Sequence, residues 1–103
     1  MALFHLAERD EWARARAAGE YAPASLAHEG FIHFSTGEQL ARTSARFYAG
    51  RDDMLVVTVD EAKLAAPLRT EQVDGEAFPH LFGSLNLDAV IDVKPLPGVP
   101  TRP

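Results

Sequence analysis

The sequence has no cysteine among its 103 residues, which excludes a disulfide framework, a zinc–thiolate site and a thiol nucleophile. It also lacks a basic excess, since 15 acidic and 10 basic residues leave a net charge of -5. That charge argues against a surface that follows the backbone of DNA or RNA, so we expect no DNA partner. A local pocket can oppose the global sign, and a small phosphate-bearing ligand remains compatible with it.

Long apolar runs are absent as well. The apolar stretch at residues 2–6 is too short for a signal peptide, and no stretch approaches the length of a membrane span. We therefore expect a cytoplasmic protein with no membrane partner. What the chain does contain is 47% hydrophobic and 24% charged residues, which is typical of a globular domain. We predict one domain over residues 1–94 and an extended proline-rich tail over residues 95–103.

Hydrophobic periodicity and turn residues predict a compact α+β domain with two main helices and mostly antiparallel strands. Trp12 is the expected buried anchor of the first helix, and Gly19 its end. The apolar run at 53–60 predicts a central strand covered on both faces. In chain order, the predicted elements are a strand at 2–6, a helix at 8–18, a loop at 20–29, a strand at 30–34, a helix at 36–50, strands at 53–60 and 68–73 separated by a short turn or helical piece, a turn at 85–88 and a strand at 89–93.

The second helix has a clear beginning. Thr36 and Gln39 fit a capping box, in which the hydroxyl and the amide reciprocally satisfy backbone N–H groups at the helix end. Ser35 fits the same template one residue earlier. Both hydroxyls are more often caps than catalytic groups, although the free N–H groups of a helix start can also hold a phosphate.

His33 lies in the strand that runs into this helix, and His5 lies in the first strand. Alternation predicts that the flanking apolar residues, such as Phe4 and Leu6, face the core and that both imidazoles lie on the other side. If the two strands are neighbours, both histidines and the helix start would form the floor of a cleft. The alternative is two half-exposed histidines on a solvated sheet face.

A second histidine segment is Phe78-Pro79-His80-Leu81-Phe82-Gly83. Aromatic residues around His80 suit stacking of a flat ring such as nicotinamide or adenine, and they suit a packed core histidine equally well. Glu71 and Glu76 are the nearby carboxylates that could act as acid, base or hydroxyl acceptor.

Cationic and metal-binding groups are less sharply indicated. Arg42, Arg46 and Arg51 could form a cationic rim for a phosphate, or simply a solvated helix face with Arg42 paired to Glu38. A three-histidine metal site would need close ligand spacing, which the histidines do not show, so we expect no metal.

The whole chain resembles the bacterial domain-of-unknown-function family 952 over residues 3–96. The resemblance rests on the strand that ends at Asp60 and on three segments: Gly30-Phe31-Ile32-His33-Phe34-Ser35-Thr36, Arg46-Phe47-Tyr48-Ala49-Gly50-Arg51-Asp52 and Phe78-Pro79-His80-Leu81-Phe82-Gly83-Ser84-Leu85.

A more distant resemblance is to the ADP-ribosyltransferase superfamily, in which a strand of Gly-Ile-Tyr-Phe-Ala type enters a helix beside the nicotinamide pocket. RNA 2′-phosphotransferases carry a similar His-x-His-Leu-Ser-like strand. The resemblance implies a split antiparallel sheet and a cleft that binds NAD or a related nucleotide. It places His33 at the tyrosine position, His5 in the first strand against the ribose, and His80 near the position of the catalytic glutamate, with Glu76 four residues earlier.

These implied roles define the expected site. The three histidines would orient and act on the sugar and phosphate, and the amides of residues 36–39 would hold a phosphate. The expected ligand-binding residues are Ser35, Thr36, Phe78, Phe82, Glu76 and Arg51. Glycosyl or phosphoryl transfer would be the reaction class. Three alternatives stay open: a non-catalytic nucleotide or anion module, a histidine–metal hydrolase, and an interaction domain whose histidines are incidental.

Overall fold

The computed structural model describes residues 2–48 and 53–96, without the side chains of four residues near the end of the second long helix. The helices are α1 (Arg9–Ala18), α2 (Ala24–Glu29) and α3 (Gly37–Tyr48). The strands are β1 (Ala2–Glu8), β2 (Glu20–Tyr21), β3 (Ile32–His33), β4 (Met54–Asp60), β5 (Leu68–Val73), β6 (Glu76–Leu81), β7 (Leu85–Asn86) and β8 (Val90–Pro95). The chain is a single α+β domain with antiparallel sheets and few helices, as predicted. Its radius of gyration is 13.1 Å, and a compact domain of this length has a value of about 13 Å.

The strands form two three-stranded antiparallel sheets, in the orders β1-β4-β8 and β3-β6-β5, and a short β2-β7 pair. The two larger sheets meet where β1 approaches the end of β3. There Phe4 and Ser35 exchange backbone hydrogen bonds of 2.9 and 2.7 Å. This bridge brings the strand of His5 next to the strand of His33.

β4 is the centre of the first sheet, and both of its faces are covered. Met54, Val57 and Val59 are buried in it, which confirms the prediction made from its apolar run. The expectation for β1 was wrong, because Leu3, His5 and Ala7 are buried whereas Phe4 and Leu6 are half-buried. α3 contacts this strand, and Gly37 lies against the ring of Phe4. Both faces of β1 therefore contact protein, and alternation could not identify the more buried one.

α1 buries Trp12 and Ala15 and ends at Gly19, whose φ of 90° and N–H bond to the carbonyl of Ala15 terminate the helix. These features confirm the prediction. The predicted loop at 20–29 was wrong, since it contains β2 and the six-residue helix α2. α2 ends at Gly30, which has a φ of 87°, a left-handed conformation that glycine adopts without strain. It turns the chain into β3, which is shorter than predicted.

The predicted capping box is confirmed at the start of α3. The N–H of Thr36 donates to Oε1 of Gln39 at 3.0 Å, and the N–H of Gln39 lies 3.3 Å from Oγ1 of Thr36. The Gln39 amide also donates to the carbonyl of Ala77 at 2.6 Å and to Oε2 of Glu76 at 3.1 Å. The cap therefore also fastens α3 to β6.

The second half of the chain follows the predicted pattern with three differences. β6, the central strand of the β3-β6-β5 sheet, was not predicted. β5 covers the predicted residues 68–73, but the predicted turn at 85–88 contains β7 and part of a 3-10 helix (Leu87–Ala89), and β8 extends to Pro95. Arg51, the side chain of Arg46 and residues 97–103 of the predicted tail lie outside what the structure describes. Within the described part of the chain, no helix has the length and apolarity that crossing a membrane requires.

Candidate functional site

His33 is the exposed member of the three histidines, with 52% of its side chain accessible. It lies on β3 directly after α2, and its Nε2–H donates to Oε1 of Glu29 across 2.7 Å. Its backbone carbonyl oxygen accepts a hydrogen bond from the ring of His5, and its own ring contacts that of His80. His33 therefore contacts both other histidines.

His5 is buried and directed into the protein. A carbonyl oxygen can only accept, so the 2.6 Å contact places a proton on Nδ1 of His5, which donates to the carbonyl of His33. Nε2 then accepts from the hydroxyl of Tyr21 at 2.7 Å. Burial lowers the pKa of His5 to about 4, against the opposing effect of its hydrogen bond to the carbonyl of His33. Both ring nitrogens of His5 are thus engaged within the protein, and one of them is bonded to the backbone of His33.

His80 is directly opposite His33 in the β3–β6 register, and the two ring centroids are 5.1 Å apart in an edge-to-face arrangement. Only 3% of the His80 side chain is exposed. Its Nδ1–H donates to Oε1 of Glu71 at 2.8 Å. Its Nε2 is buried and has no hydrogen-bond partner among the described residues.

The aromatic ring against His80 belongs to Phe31, which stacks on it at 4.1 Å with an interplanar angle of 13°. Phe82 packs against Phe31 at 5.4 Å, and the guanidinium carbon of Arg69 lies 5.2 Å from the centre of the Phe82 ring. Phe78 is half-buried. Sequence reasoning named Phe78 and Phe82 but missed Phe31, although the two-residue period of a strand places residues 31 and 33 on one face.

A cleft of about 370 Å³ adjoins this cluster where β1, β3 and the α1–α2 segment meet. His5, His33 and Ser35 line it, together with the carboxylates Glu8 and Glu11, which the sequence analysis did not name. His80 is not among its lining residues and lies beyond His33 on the neighbouring strand. His33 thus contacts both of the other histidines. It contacts His5 through its backbone carbonyl and His80 through its ring.

Glu76 and Thr36 serve the start of α3. Glu76 is held by the guanidinium of Arg42 through two hydrogen bonds of 3.0 and 2.8 Å. These bonds to Arg42 lower the pKa of Glu76 and raise that of Arg42. The carboxylate that binds His80 is therefore Glu71 and not Glu76. The spacing along the strand could have distinguished these two residues. Residues 76 and 80 lie on one strand, where four steps of about 3.3 Å separate them by roughly 13 Å.

No group of three or more His, Asp or Glu side chains suited to hold a metal ion occurs in the described ranges 2–48 and 53–96. His33 and His80 each bind a carboxylate through one nitrogen. Such an arrangement can fix the orientation of an imidazole and leave its other nitrogen for hydrogen bonding or proton transfer.

Two antiparallel sheets joined by a backbone bridge, with a histidine–carboxylate cluster beside the junction, define a class of small α+β domain. The chain belongs to the family described as "Protein of unknown function (DUF952)", whose model matches residues 6–93. No curated protein matches the chain.

Solved structures of a similar protein, CC0527 from Caulobacter crescentus, match almost the whole domain. Its crystal structure is 31% identical, with a TM-score of 0.85, and the match covers 93% of this chain and 86% of that one. A crystal structure of a double mutant of CC0527 is 30% identical, with a TM-score of 0.84 and the same coverage. The solution NMR structure of CC0527 is 32% identical, with a TM-score of 0.79, covering 92% of this chain and 84% of that one.

Proposed function

We propose that this protein binds NAD or a related nucleotide across the cleft and the adjoining face of the β3-β6-β5 sheet. One observation carries the proposal: His33 and His80 pack ring against ring, each hydrogen-bonded to a carboxylate, beside a cleft that His33 also lines. Two oriented imidazoles next to an aromatic surface suit a ligand that has both hydroxyl groups and a flat ring.

The distribution of groups suggests how the nucleotide lies. His33 and Ser35, at the cleft, would bind ribose hydroxyls. Arg69 lies opposite His80 in the β5–β6 register, and among the described residues its guanidinium contacts the Phe82 ring and no carboxylate. Among the residues that the structure describes on this face, Arg69 could therefore bind a phosphate. The N–H groups of Thr36 and Gln39 are already used by the capping box.

If the protein is an enzyme, the reaction is glycosyl or phosphoryl transfer of the ADP-ribosyltransferase type. Two sheets joined at a bridge support the split sheet that this resemblance implies. His80 would act on the sugar, and His33 would orient it. His5 contributes indirectly, because its hydrogen bond to the carbonyl of His33 fixes the backbone there.

A second candidate is a non-catalytic module that binds a nucleotide or small anion. One observation favours it: Glu76, the acidic residue closest in sequence before His80, is engaged by Arg42 and Gln39. A carboxylate held in this way does not stabilise positive charge on a sugar at His80.

Isothermal calorimetry with NAD, ADP-ribose and 2′-phosphorylated RNA tests nucleotide binding. We expect measurable binding of at least one ligand to the wild type. We expect at least tenfold weaker binding to His33→Ala, which corresponds to a loss of about 1.4 kcal/mol in the free energy of binding. His28→Ala is the matched control, because His28 is an exposed histidine on α2 outside the cleft lining. Equal affinities of the two variants, or no binding of any of the three, would refute the proposal. Release of nicotinamide or phosphate then separates an enzyme from a binding module.

A further inference from the structure

The Nε2 atom of His80 is a buried polar atom without a hydrogen-bond partner among the described residues. Buried ring nitrogens normally have a partner, because an unmade hydrogen bond inside a protein is unfavourable. His5 follows that rule, since both of its nitrogens are engaged. His80 is an exception to that rule. Its ring stacks on Phe31 and contacts His33, which lines the cleft.

We propose that Glu71 is a positioning residue which fixes the protonation site of His80, that Nε2 of His80 is thereby presented as a hydrogen-bond acceptor, and that Phe31, which stacks on the face of the His80 ring, is a displaceable cover over that ring. The proposal deepens the proposed function and rests on it for the ligand class. The group that Nε2 would accept from is then a ribose hydroxyl.

The role of Glu71 follows from donor and acceptor chemistry. A carboxylate only accepts, so the 2.8 Å contact places a proton on Nδ1 of His80. In the neutral ring, the lone pair must then be on Nε2. Glu71 lies opposite Phe78 on the neighbouring strand and hence diagonal to His80, a distance that long side chains can bridge. The sheet therefore holds the carboxylate in position before any ligand arrives.

The role of Phe31 follows from where it lies. Its ring stacks on His80 at 4.1 Å and contacts His33 at 4.9 Å, so it occupies the surface that a flat ligand ring would use. Phe31 precedes β3 and follows Gly30, on the link between α2 and the sheet. Its side chain is half-buried. Displacing this side chain removes ring contacts and leaves the backbone pairing of β3 with β6 in place.

Modification of histidines by diethylpyrocarbonate tests whether Phe31 shields His80, and it requires no nucleotide. A neutral imidazole nitrogen attacks one carbonyl of the reagent and keeps the ethoxycarbonyl group, the ring loses a proton, and the departing half yields ethanol and CO2. Mass spectrometry of peptides then assigns the rate to each histidine. We expect His80 to react at least tenfold faster in Phe31→Ala than in the wild type. An unchanged rate at His80 would overturn the role of Phe31.

The same experiment contains its own controls. Exposed His28 should react quickly in every variant, and His5, with both nitrogens engaged, should react slowly in every folded variant. Fast reaction at His5 would reveal unfolding of Phe31→Ala. In that case Phe31→Leu, which keeps an apolar side chain but cannot stack, replaces it, with the same outcomes.

Nitrogen-15 NMR of the histidine rings tests Glu71. For the neutral ring of His80, we expect a protonated Nδ1 and an unprotonated Nε2 in the wild type. Glu71→Gln retains an acceptor oxygen and should keep that tautomer, whereas Glu71→Leu removes it and should yield a mixture. A wild-type His80 protonated on Nε2, or an identical spectrum in Glu71→Leu, would overturn the positioning role.

Nucleotide binding is a separate outcome. If His80 behaves as described and neither NAD nor ADP-ribose binds, the proposed function fails and the Glu71–His80 pair stands. If NAD binds to the wild type but does not slow the modification of His80 in Phe31→Ala, the assignment of Nε2 to the ligand fails.

Discussion

The Nδ1–H of His5 donates a hydrogen bond of 2.6 Å to the backbone carbonyl oxygen of His33. It joins β1 to β3 beside the bridge between Phe4 and Ser35, which carries the contact between the two larger sheets. A buried histidine thus sets the position of an exposed one. The stability of the junction and the geometry of the candidate site therefore depend on the same side chain.

The protonation of His5 should make stability depend on pH in a defined window. Its pKa falls from 6.5 in the unfolded chain to about 4 in the folded protein, so the unfolded chain binds the proton more readily. The neutral ring's contribution is complete above about pH 6.5 and is lost as the pH falls towards 4, by up to about 3 kcal/mol. Urea unfolding of the wild type and of His5→Gln between pH 7.5 and 4 measures it. Parallel curves for the two proteins would contradict the shift.

Removing the hydroxyl of Tyr21 should leave Nε2 of His5 buried without its donor. Tyr21→Phe keeps the ring, which packs against Trp12 at 5.1 Å, and deletes the 2.7 Å hydrogen bond. We expect a loss of about 1–3 kcal/mol in the free energy of unfolding, measured by urea denaturation at pH 7.5. An unchanged midpoint would mean that this hydrogen bond contributes nothing to stability.

Gln39 should contribute more to stability than its neighbour on the same helix turn. Gln39→Ala removes a side chain that caps α3 and bonds to the carbonyl of Ala77. We expect a loss of about 2 kcal/mol in the free energy of unfolding. Glu38→Ala is the control, since Glu38 is exposed and should change stability by less than about 0.5 kcal/mol. Similar losses in both variants would show that the link between α3 and β6 is unimportant.

Arg69 should distinguish ligands with phosphates from ligands without them. If its guanidinium binds a phosphate, Arg69→Gln should weaken NAD binding by up to about fivefold, as expected for an exposed ion pair worth about 1 kcal/mol. Nicotinamide riboside, which lacks phosphate, should bind both proteins equally. Arg16→Gln, on the exposed side of α1, is the control in calorimetry. An equal loss for both ligands would assign Arg69 a role other than phosphate binding.

Local patterns in the sequence suffice for elements that depend only on residues close together in the chain. The capping box at Thr36 and Gln39 and the strand at residues 68–73 depend on neighbours in the chain, and both were predicted. α2 was missed, because its six residues bury none of their side chains fully and carry no apolar period. The predicted orientation of β1 was wrong, because both faces of that strand contact protein.

By itself, the sequence determined the fold class, most of the elements and the presence of histidines beside the start of α3, since these follow from periodicity and capping over a few residues. Only the tertiary structure decided that His5 faces inward to Tyr21, that Glu71 and not Glu76 holds His80, and that Phe31 covers it. Each of these pairings joins residues from different strands or from a strand and a loop. Their partners are chosen by sheet register and by the burial of polar atoms, which the periodicity of a single strand restricts but does not assign.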